Sequence, residues 1–446
     1  MPDPGTPGPG ATGPAVPACA QQPLFDAVPD RARWRYKPRR ASRLWHSKVI
    51  RAGVLITLLA LCALVILALV REETGTTGFL VGLGLAVLPV PLLVAAFRWL
   101  DLVDPGPWRN LIFSFCWGAF AAALVAILAN TFATQWIATN TADASNAHSL
   151  GATVIAPVVE ETAKAAAVLL IFLFRRRDFT GIVDGVVIAG FTAIGFAFTE
   201  NILYLGTAFD EDQTLGYSGL SSTTAATFFV RIVMSPFAHP VFTVLTGIGF
   251  GLAALAARRR QRIRRIALPV LGLLLSMVMH ALWNGSASYL GPWGFLLVYA
   301  FVMIPAFVLL TWLAIWARQR ELHTLAVTLP AYAAAGWLAP SEPQALSSMR
   351  ARNTAKDFAR RMHGPAAVHP VAEYQRFATA LAFLRHRAAR EAAGPDFTAR
   401  EQELLHHMWQ RKAVASPALT YAARVTGRVR VPPPHRDYEI PNPYRV

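Results

Sequence analysis

The sequence predicts an all-α protein: a polytopic transmembrane helical bundle of about eight spans, with a disordered N-terminal tail and a partly helical cytoplasmic C-terminal region. Three observations support this fold class. Of the 446 residues, 54% are hydrophobic and 15% are charged, a composition typical of integral membrane proteins. Apolar runs recur at the length of about 20 residues that a spanning helix requires. Lys and Arg collect at alternate ends of those runs, as the positive-inside rule predicts.

Residues 1–45 form the predicted disordered tail. A Pro- and Gly-rich stretch ends near Pro17, and a basic stretch from Arg31 to Arg40 follows it. Neither composition can bury a hydrophobic core. The first long apolar run begins near Ala52, which is too far from the start for a secretory signal peptide, so we expect no cleaved signal.

The predicted transmembrane protein domain covers residues 46–317. Its candidate spans lie at roughly 52–70, 78–97, 111–133, 151–174, 182–204, 225–256, 267–289 and 293–316. The connections 134–150, 205–224 and 290–292 contain no Lys or Arg, whereas the connections that alternate with them are basic. Because Lys and Arg favour the cytoplasmic side, both termini are expected inside. This pattern predicts a multi-pass protein of the plasma membrane that contacts the lipid bilayer, and it leaves the oligomeric state open.

The formal net charge of +16 could suggest nucleic-acid binding. The basic residues, however, lie at the ends of apolar segments and in the tails, where they set topology and attract anionic lipid. No nucleic-acid partner is therefore expected. Cys19, Cys62 and Cys116 form neither a CxxC pair nor an even-numbered framework, which argues against disulfides and against Cys-ligated zinc.

Residues 318–446 form the predicted cytoplasmic region, which is partly helical and partly disordered. One helix is indicated by apolar residues at helical spacing: Val371, Tyr374, Phe377, Leu381 and Leu384. For a second helix, Thr398 and Glu401 have the spacing of a capping box and precede another apolar face. The end of the chain, from Val431 onward, is rich in proline and is expected to be extended and disordered.

Ionisable residues inside the predicted spans are confined to spans four to seven. They are Glu160, Glu161, Lys164, Glu200, Arg231, His239 and His280. Charged groups in hydrocarbon are costly and normally face a bundle interior or a water-filled cavity. With a rise of about 1.5 Å per residue, Glu160, His239 and His280 all fall near the bilayer midplane, and Glu200 lies somewhat toward the outer face. Four antiparallel helices are therefore expected to form one polar pocket. Arg231 lies near the outer end of its span and is expected to snorkel or to pair with Glu200 or Asp212.

The residue types in this pocket are those of a metal-dependent hydrolytic site. Two imidazoles and a carboxylate suit a catalytic zinc ion with one position open for water, and a spare carboxylate can serve as a general base. Glu160 and Glu161 point about 100° apart around their helix, so one can act on water while the other pairs with Lys164.

Four segments in successive spans also resemble the motifs of a known family. They are Glu160–Lys164 (EETAK), Phe196–Asn201 (FAFTEN), His239–Thr243 (HPVFT) and His280–Asn284 (HALWN). These segments are similar to the EExxK, FxxxEN, His-containing and HxxWN motifs of the PrsW family of intramembrane metalloproteases. That family is related to the CAAX prenyl endopeptidases and the bacteriocin-immunity-type membrane proteases. The resemblance covers residues of about 150–290, which we take as the catalytic core.

The resemblance implies hydrolysis of peptide bonds in membrane-associated proteins. For the namesake of the family it implies cleavage of a membrane-anchored anti-sigma factor in a stress-signalling cascade, so a membrane-anchored protein substrate is the expected partner. Glu160 and Glu161 would be the catalytic carboxylates, and His280 with Asn284 fits the HxxxN motif of the CAAX enzymes. Glu200 stands where those enzymes usually have a histidine. The identity of the metal and the need for one therefore cannot be inferred from those enzymes.

We therefore predict an intramembrane endopeptidase with a divalent metal, zinc, as its cofactor. The predicted metal ligands are Glu200, His239 and His280. The predicted catalytic residues are Glu160, Glu161, Lys164 and Asn284. Glu160 would remove a proton from the attacking water, and Asn284 would donate to the oxyanion that develops on the scissile carbonyl. A metal-free variant, in which Glu160 and a histidine activate water, remains an alternative.

Two further alternatives come from other functional classes. A proton-coupled transporter could use the same Glu and His residues as a relay. Such carriers usually contain paired repeats with broken helices, and no such pairing is visible between spans one to four and five to eight. A catalytically inactive scaffold would be expected to have a degraded motif set, whereas all the motif residues are present.

Overall fold

The computed structural model describes residues 45–140, 149–176, 178–256, 261–391 and 396–427. Every regular element in these residues is helical, which confirms the predicted fold class. The predicted disordered tail, apart from Trp45, lies outside the described residues, and so does the proline-rich end from residue 428 onward.

The first part of the chain contains long apolar helices. They are α1 (Trp45–Val87), α2 (Val90–Leu100), α3 (Trp108–Cys116), α4 (Ala123–Asn140), α5 (Ala156–Phe174), α6 (Ile182–Leu215), α7 (Thr223–Phe228), α8 (Ala238–Leu255), α9 (Arg262–Tyr289), α10 (Gly291–Val298) and α11 (Ile304–Thr328). Wider, π-type turns join α3 to α4 at Trp117–Ala122 and α10 to α11 at Tyr299–Met303. Two more precede α5 at Gly151–Ile155 and follow α7 at Phe229–Met234.

Within the described residues, six stretches are long and apolar enough to cross a membrane. They are Ala52–Leu100, Trp108–Ile137, Ile182–Leu215, Thr223–Leu255, Arg262–Tyr289 and Gly291–Ala334. The first contains two of the predicted spans, and Gly75 interrupts it with φ of 65° and ψ of 168°. A positive φ of this kind favours glycine, and the kink at Gly75 separates the two spans. Helix α5, which carries three charged residues, is not among the six, and the count of about eight spans stays a prediction.

Helix α6 is the centre of the bundle. In its most apolar window 94% of the residues are buried, and it packs against α1, α3, α5 and α8. Small residues allow this close packing: a Cβ atom on Gly118 would lie 1.9 Å from the carbonyl oxygen of Thr192. Trp117 and Thr199 add hydrogen bonds to carbonyl oxygens of neighbouring helices. The helices that carry the ionisable residues are thereby fixed around α6.

The predicted cytoplasmic region forms a helical layer with its own core. Its helices are α12 (Pro330–Ala334), α13 (Glu342–Leu346), α14 (Met349–His363), α15 (Val368–Glu391) and α16 (Phe397–Val425). A short 3-10 turn at Pro365–Ala367 lies between α14 and α15. A second 3-10 turn, Gly219–Ser221, lies in the membrane bundle just before α7. Both predicted helices are present, as α15 and α16, whereas α14 was not predicted. Val371, Tyr374 and Leu381 are fully buried, as the helical spacing predicted.

The predicted capping box is wrong. Helix α16 begins at Phe397, so Thr398 lies inside the helix and cannot cap it. Glu401 is buried and accepts hydrogen bonds from the Tyr332 hydroxyl and from Arg385, whose Nη1 lies 2.8 Å away. The carboxylate of Glu401, which the local spacing assigned to the capping box, therefore forms a buried ion pair between two helices.

Candidate active site

Four helices bring the predicted intramembrane residues into one cluster. Helix α5 carries Glu160, Glu161 and Lys164, α6 carries Glu200, α8 carries His239 and α9 carries His280. The helical conformation is interrupted at Ser235–Phe237, just before α8. His239 therefore lies near the beginning of that helix. Non-helical backbone at this depth is tolerated where it lines a cavity.

Glu161 is completely enclosed and accepts hydrogen bonds from four groups. Its Oε1 lies 2.8 Å from Lys164 Nζ and 3.1 Å from His280 Nδ1. Its Oε2 accepts from Thr243 Oγ1 at 2.9 Å and from Ser276 Oγ at 2.6 Å. An ionised carboxylate with four donors has no capacity left for substrate. Glu161 therefore holds the cluster together and is not available to act on water.

The contact with Glu161 also determines the state of His280. A carboxylate only accepts, so His280 Nδ1 carries a proton, and in the neutral imidazole Nε2 keeps a free lone pair. That Nε2 lies 3.8 Å from Glu160 Oε2, and the imidazole stacks on Phe242 with ring centres 4.8 Å apart. A carboxylate that orients a histidine in this way is the usual support of a metal-binding imidazole.

Lys164 is fully buried and neutralises part of the negative charge of the cluster. Its Nζ lies 2.8 Å from Glu161, 3.4 Å from Glu160 and 3.3 Å from His239 Nδ1. It also lies 3.7 Å from the ring centre of Phe196, the first residue of the FAFTEN segment. Such a cation is stable in an apolar environment only because several acceptors surround it.

Glu200 lies on the other side of His239. Its Oε2 is 2.6 Å from His239 Nε2 and 3.0 Å from Arg231 Nη1. The Arg231 guanidinium in turn lies 3.5 Å from the ring centre of Tyr204. The predicted pairing of Arg231 with Glu200 is therefore present.

Glu160 differs from Glu161 because it borders open space, and from Glu200 because its ion pair is long. Its Oε2 faces Lys164 and His280, while Oε1 has no hydrogen-bond partner within the described parts of the chain. The cavity beside it has a volume of about 630 Å³, and Glu200, His239 and Asn284 also line it. Water can reach Glu160 through this space.

The donor set fits a divalent metal ion. One ligand atom from each of Glu160, His239 and His280 lies within 4.8 Å of the others, a group of two imidazoles and one carboxylate. The predicted third ligand, Glu200, is not in this group. It instead makes a hydrogen bond with His239 Nε2.

Asn284 and the outer rim complete the site. Asn284 Nδ2 donates to the carbonyl oxygen of Ala152 at 2.9 Å, which uses one of its two amide hydrogens. The rim includes Gly151, Ser288 and Pro292, which adjoin the connections without Lys or Arg. The cavity therefore opens toward the predicted external side.

Two partners of the cluster were not predicted as site residues. Thr243 shares a face with His239 and could have been found from its spacing of four residues. Ser276 likewise precedes His280 by four residues, but a serine in a span gives little signal by itself because it can bond its own helix backbone. Their common acceptor, Glu161, became apparent only once the helices were placed.

Comparisons with known protein sequences support the family resemblance of the motifs that form this site. Residues 106–310 match the family described as PrsW family intramembrane metalloprotease. Protease PrsW of Clostridioides difficile (strain 630) is 25% identical over 221 residues, which cover 49% of this chain and 84% of that protein. No solved structure gives a significant match. The resemblance to the PrsW family that the motifs predicted is thus confirmed.

Proposed function

We infer that this PrsW family protease is a multi-pass intramembrane endopeptidase that uses a divalent metal, zinc, to cleave membrane-anchored protein substrates. The observation that carries this proposal is the buried group of Glu160, His239 and His280 at the end of a water-accessible cavity. Charged and metal-binding side chains are costly at membrane depth, so their concentration around one cavity supports chemistry there.

In the proposed reaction Glu160 accepts the proton of the attacking water. Its Oε1 is the carboxylate oxygen that borders the cavity without a partner among the described residues. Lys164 contacts the other oxygen of this carboxylate, Oε2, and offsets the negative charge of both Glu160 and Glu161. Asn284 retains one amide hydrogen that can donate to the oxyanion on the scissile carbonyl.

His239 and His280 would hold the ion, and the geometry supports Glu160 through Oε2 as third ligand in place of the predicted Glu200. A bound divalent ion would supply Lewis acidity that polarises water or the scissile carbonyl. Glu161 fixes the tautomer of His280 so that Nε2 is free, and Glu200 orients the ring of His239.

A metal-free glutamate mechanism is the second candidate, because both ring nitrogens of His239 contact protein groups. Nδ1 lies 3.3 Å from Lys164, and Nε2 lies 2.6 Å from Glu200. In that mechanism Glu160 and His280 activate the water and no imidazole needs to be released from its partner.

Elemental analysis of the purified full-length protein separates the two candidates. The metal-dependent proposal expects about one zinc per chain, a large loss of metal in His280→Ala and Glu160→Gln, and a smaller loss in Glu200→Gln. Chelation should remove cleavage and zinc should restore it. Full cleavage by a metal-free preparation would contradict the metal and favour the second candidate.

The proposed substrate is a membrane-anchored protein, of which an anti-sigma factor is one example, and the proposed location is the plasma membrane with both termini cytoplasmic. The cavity rim near the connections without Lys or Arg supports cleavage on the external half of the membrane. Membrane proteomics comparing wild type with Glu160→Gln should show one single-pass protein that accumulates uncut in the variant. The absence of any accumulating membrane protein would contradict this substrate class.

A further inference from the structure

A second cavity lies at the opposite end of the bundle from the active site. Its volume is about 340 Å³. It is bounded by the beginning of α6, the end of α8, the cytoplasmic part of α11 and helix α15. The connections at this end of the bundle include Arg175, Arg176 and the basic segment 258–265, so the positive-inside rule places the cavity at the cytoplasmic boundary of the membrane.

The lining of this cavity is divided into an apolar and a cationic part. Ile182, Leu255 and Trp316 line the part formed by the ends of the spans. Arg320 follows Trp316 by one helical turn on α11, about 6 Å farther from the membrane. Arg387 reaches the same cavity from α15. The arrangement matches the vertical order of a phospholipid, with acyl chain inside the membrane and phosphate at the boundary.

The two arginines make no close ion pair with a carboxylate in the described parts of the chain. The guanidinium of Arg320 lies over the Trp316 ring at 4.7 Å. The charges of Asp104 and Asp184 act on Arg387 from a longer distance, and Asp184 already receives three hydrogen bonds at Oδ2 from Thr180 and Gly181. Both guanidinium groups thus retain donors for a further anion.

The charge of the cavity favours an anion. Among the residues that line it, Glu321 is the one carboxylate, against the two arginines, so the formal charge is +1 when His323 and His386 are neutral. A single phosphate diester balances this charge. Basic pockets between transmembrane helices on the cytoplasmic side are known to bind the headgroups of anionic lipids.

We propose that this cavity binds one anionic phospholipid of the inner leaflet. Its phosphate contacts Arg320 and Arg387, and the part of the acyl chain nearest the headgroup packs along Trp316. Because the two arginines belong to α11 and α15, the lipid connects the membrane bundle to the cytoplasmic helices. This proposal is independent of the protease assignment.

Native mass spectrometry of the full-length protein tests the proposal with phosphatidylglycerol, phosphatidylethanolamine and phosphatidylcholine of matched acyl chains. One phosphatidylglycerol should bind at least about tenfold more tightly than either zwitterionic lipid. The phosphate is common to all three lipids, but only the zwitterionic headgroups carry an ammonium group, which the two arginines repel. The preference should disappear in Arg320→Gln with Arg387→Gln. It should persist in Arg350→Gln with Arg361→Gln, which removes the same charge from exposed positions on α14.

A second measurement covers the case in which the double variant fails to fold. Phosphatidylglycerol with a brominated acyl chain should quench the fluorescence of Trp316, so the quenched fraction should fall in Trp316→Phe. Brominated phosphatidylcholine should quench this residue much less. Equal binding of all three lipids, an unchanged preference in the Arg320 and Arg387 variant, or equal quenching by both brominated lipids would overturn the proposal.

Discussion

Glu160 and Glu161 are neighbours in sequence but differ in their hydrogen-bond partners, so the same Glu→Gln change should affect them differently. Glu161 uses one oxygen for Lys164 and His280 and the other for Thr243 and Ser276. Glutamine replaces one of these oxygens by an amide that only donates, so two donors lose their acceptor. Each hydrogen bond that involves a charged group contributes about 1.5–3 kcal/mol, and breaking a buried ion pair costs about 3–5 kcal/mol.

We therefore expect Glu161→Gln to lower the free energy of unfolding by about 3–5 kcal/mol. In metal-free protein Glu160→Gln weakens the contact of 3.4 Å with Lys164, which keeps Glu161 as its acceptor, so the cost should be about 1 kcal/mol or less. Both variants should lose cleavage. The assay is titration of the detergent-solubilised protein with SDS, followed by tryptophan fluorescence. Equal destabilisation by the two variants would refute the assignment of Glu161 as the structural carboxylate.

The remaining predictions concern topology, the oxyanion and the cytoplasmic region. Reporter fusions after Arg265 should be cytoplasmic and fusions within 205–224 external; a cytoplasmic result for 205–224 would contradict the span model. Asn284→Ala should lower kcat by about 100- to 1,000-fold with little change in KM, and an unchanged kcat would exclude its role as oxyanion donor. Truncation after Glu321 should leave residual cleavage of an overproduced substrate, because the catalytic cluster is complete without the later helices; complete inactivity of a well-inserted truncation would show otherwise.

The fold class and the convergence of the cluster were accessible from sequence because membrane burial restricts the alternatives. A charged side chain in a span must face the protein interior, so position along each span was enough to predict that Glu160, His239 and His280 meet. The rotation of each helix about its axis was not accessible in the same way. It decides that Glu200 faces Arg231 and His239 and does not join the group formed by the other three residues.

The C-terminal helices illustrate a different limit of local sequence patterns. A capping box and a buried interhelical ion pair both use a glutamate near the beginning of a helix, and Thr398 and Glu401 fit the first pattern as well as the second. The choice depends on Tyr332 and Arg385, which are distant in sequence. Helix α14 was missed because its sequence is highly charged and its buried face consists mainly of alanines, so few large apolar residues mark it.

Peptide-bond cleavage by the buried cluster is the central claim, and a cleavage assay in proteoliposomes tests it most directly. Wild type, Glu160→Gln and His280→Ala would be reconstituted at equal amounts with a single-pass membrane protein identified by its accumulation in the Glu160→Gln strain. We expect wild type to release a defined fragment, and both variants, inserted to the same level, to release none. Fragment release by either variant at the wild-type rate would contradict the assignment of this cluster as the catalytic site.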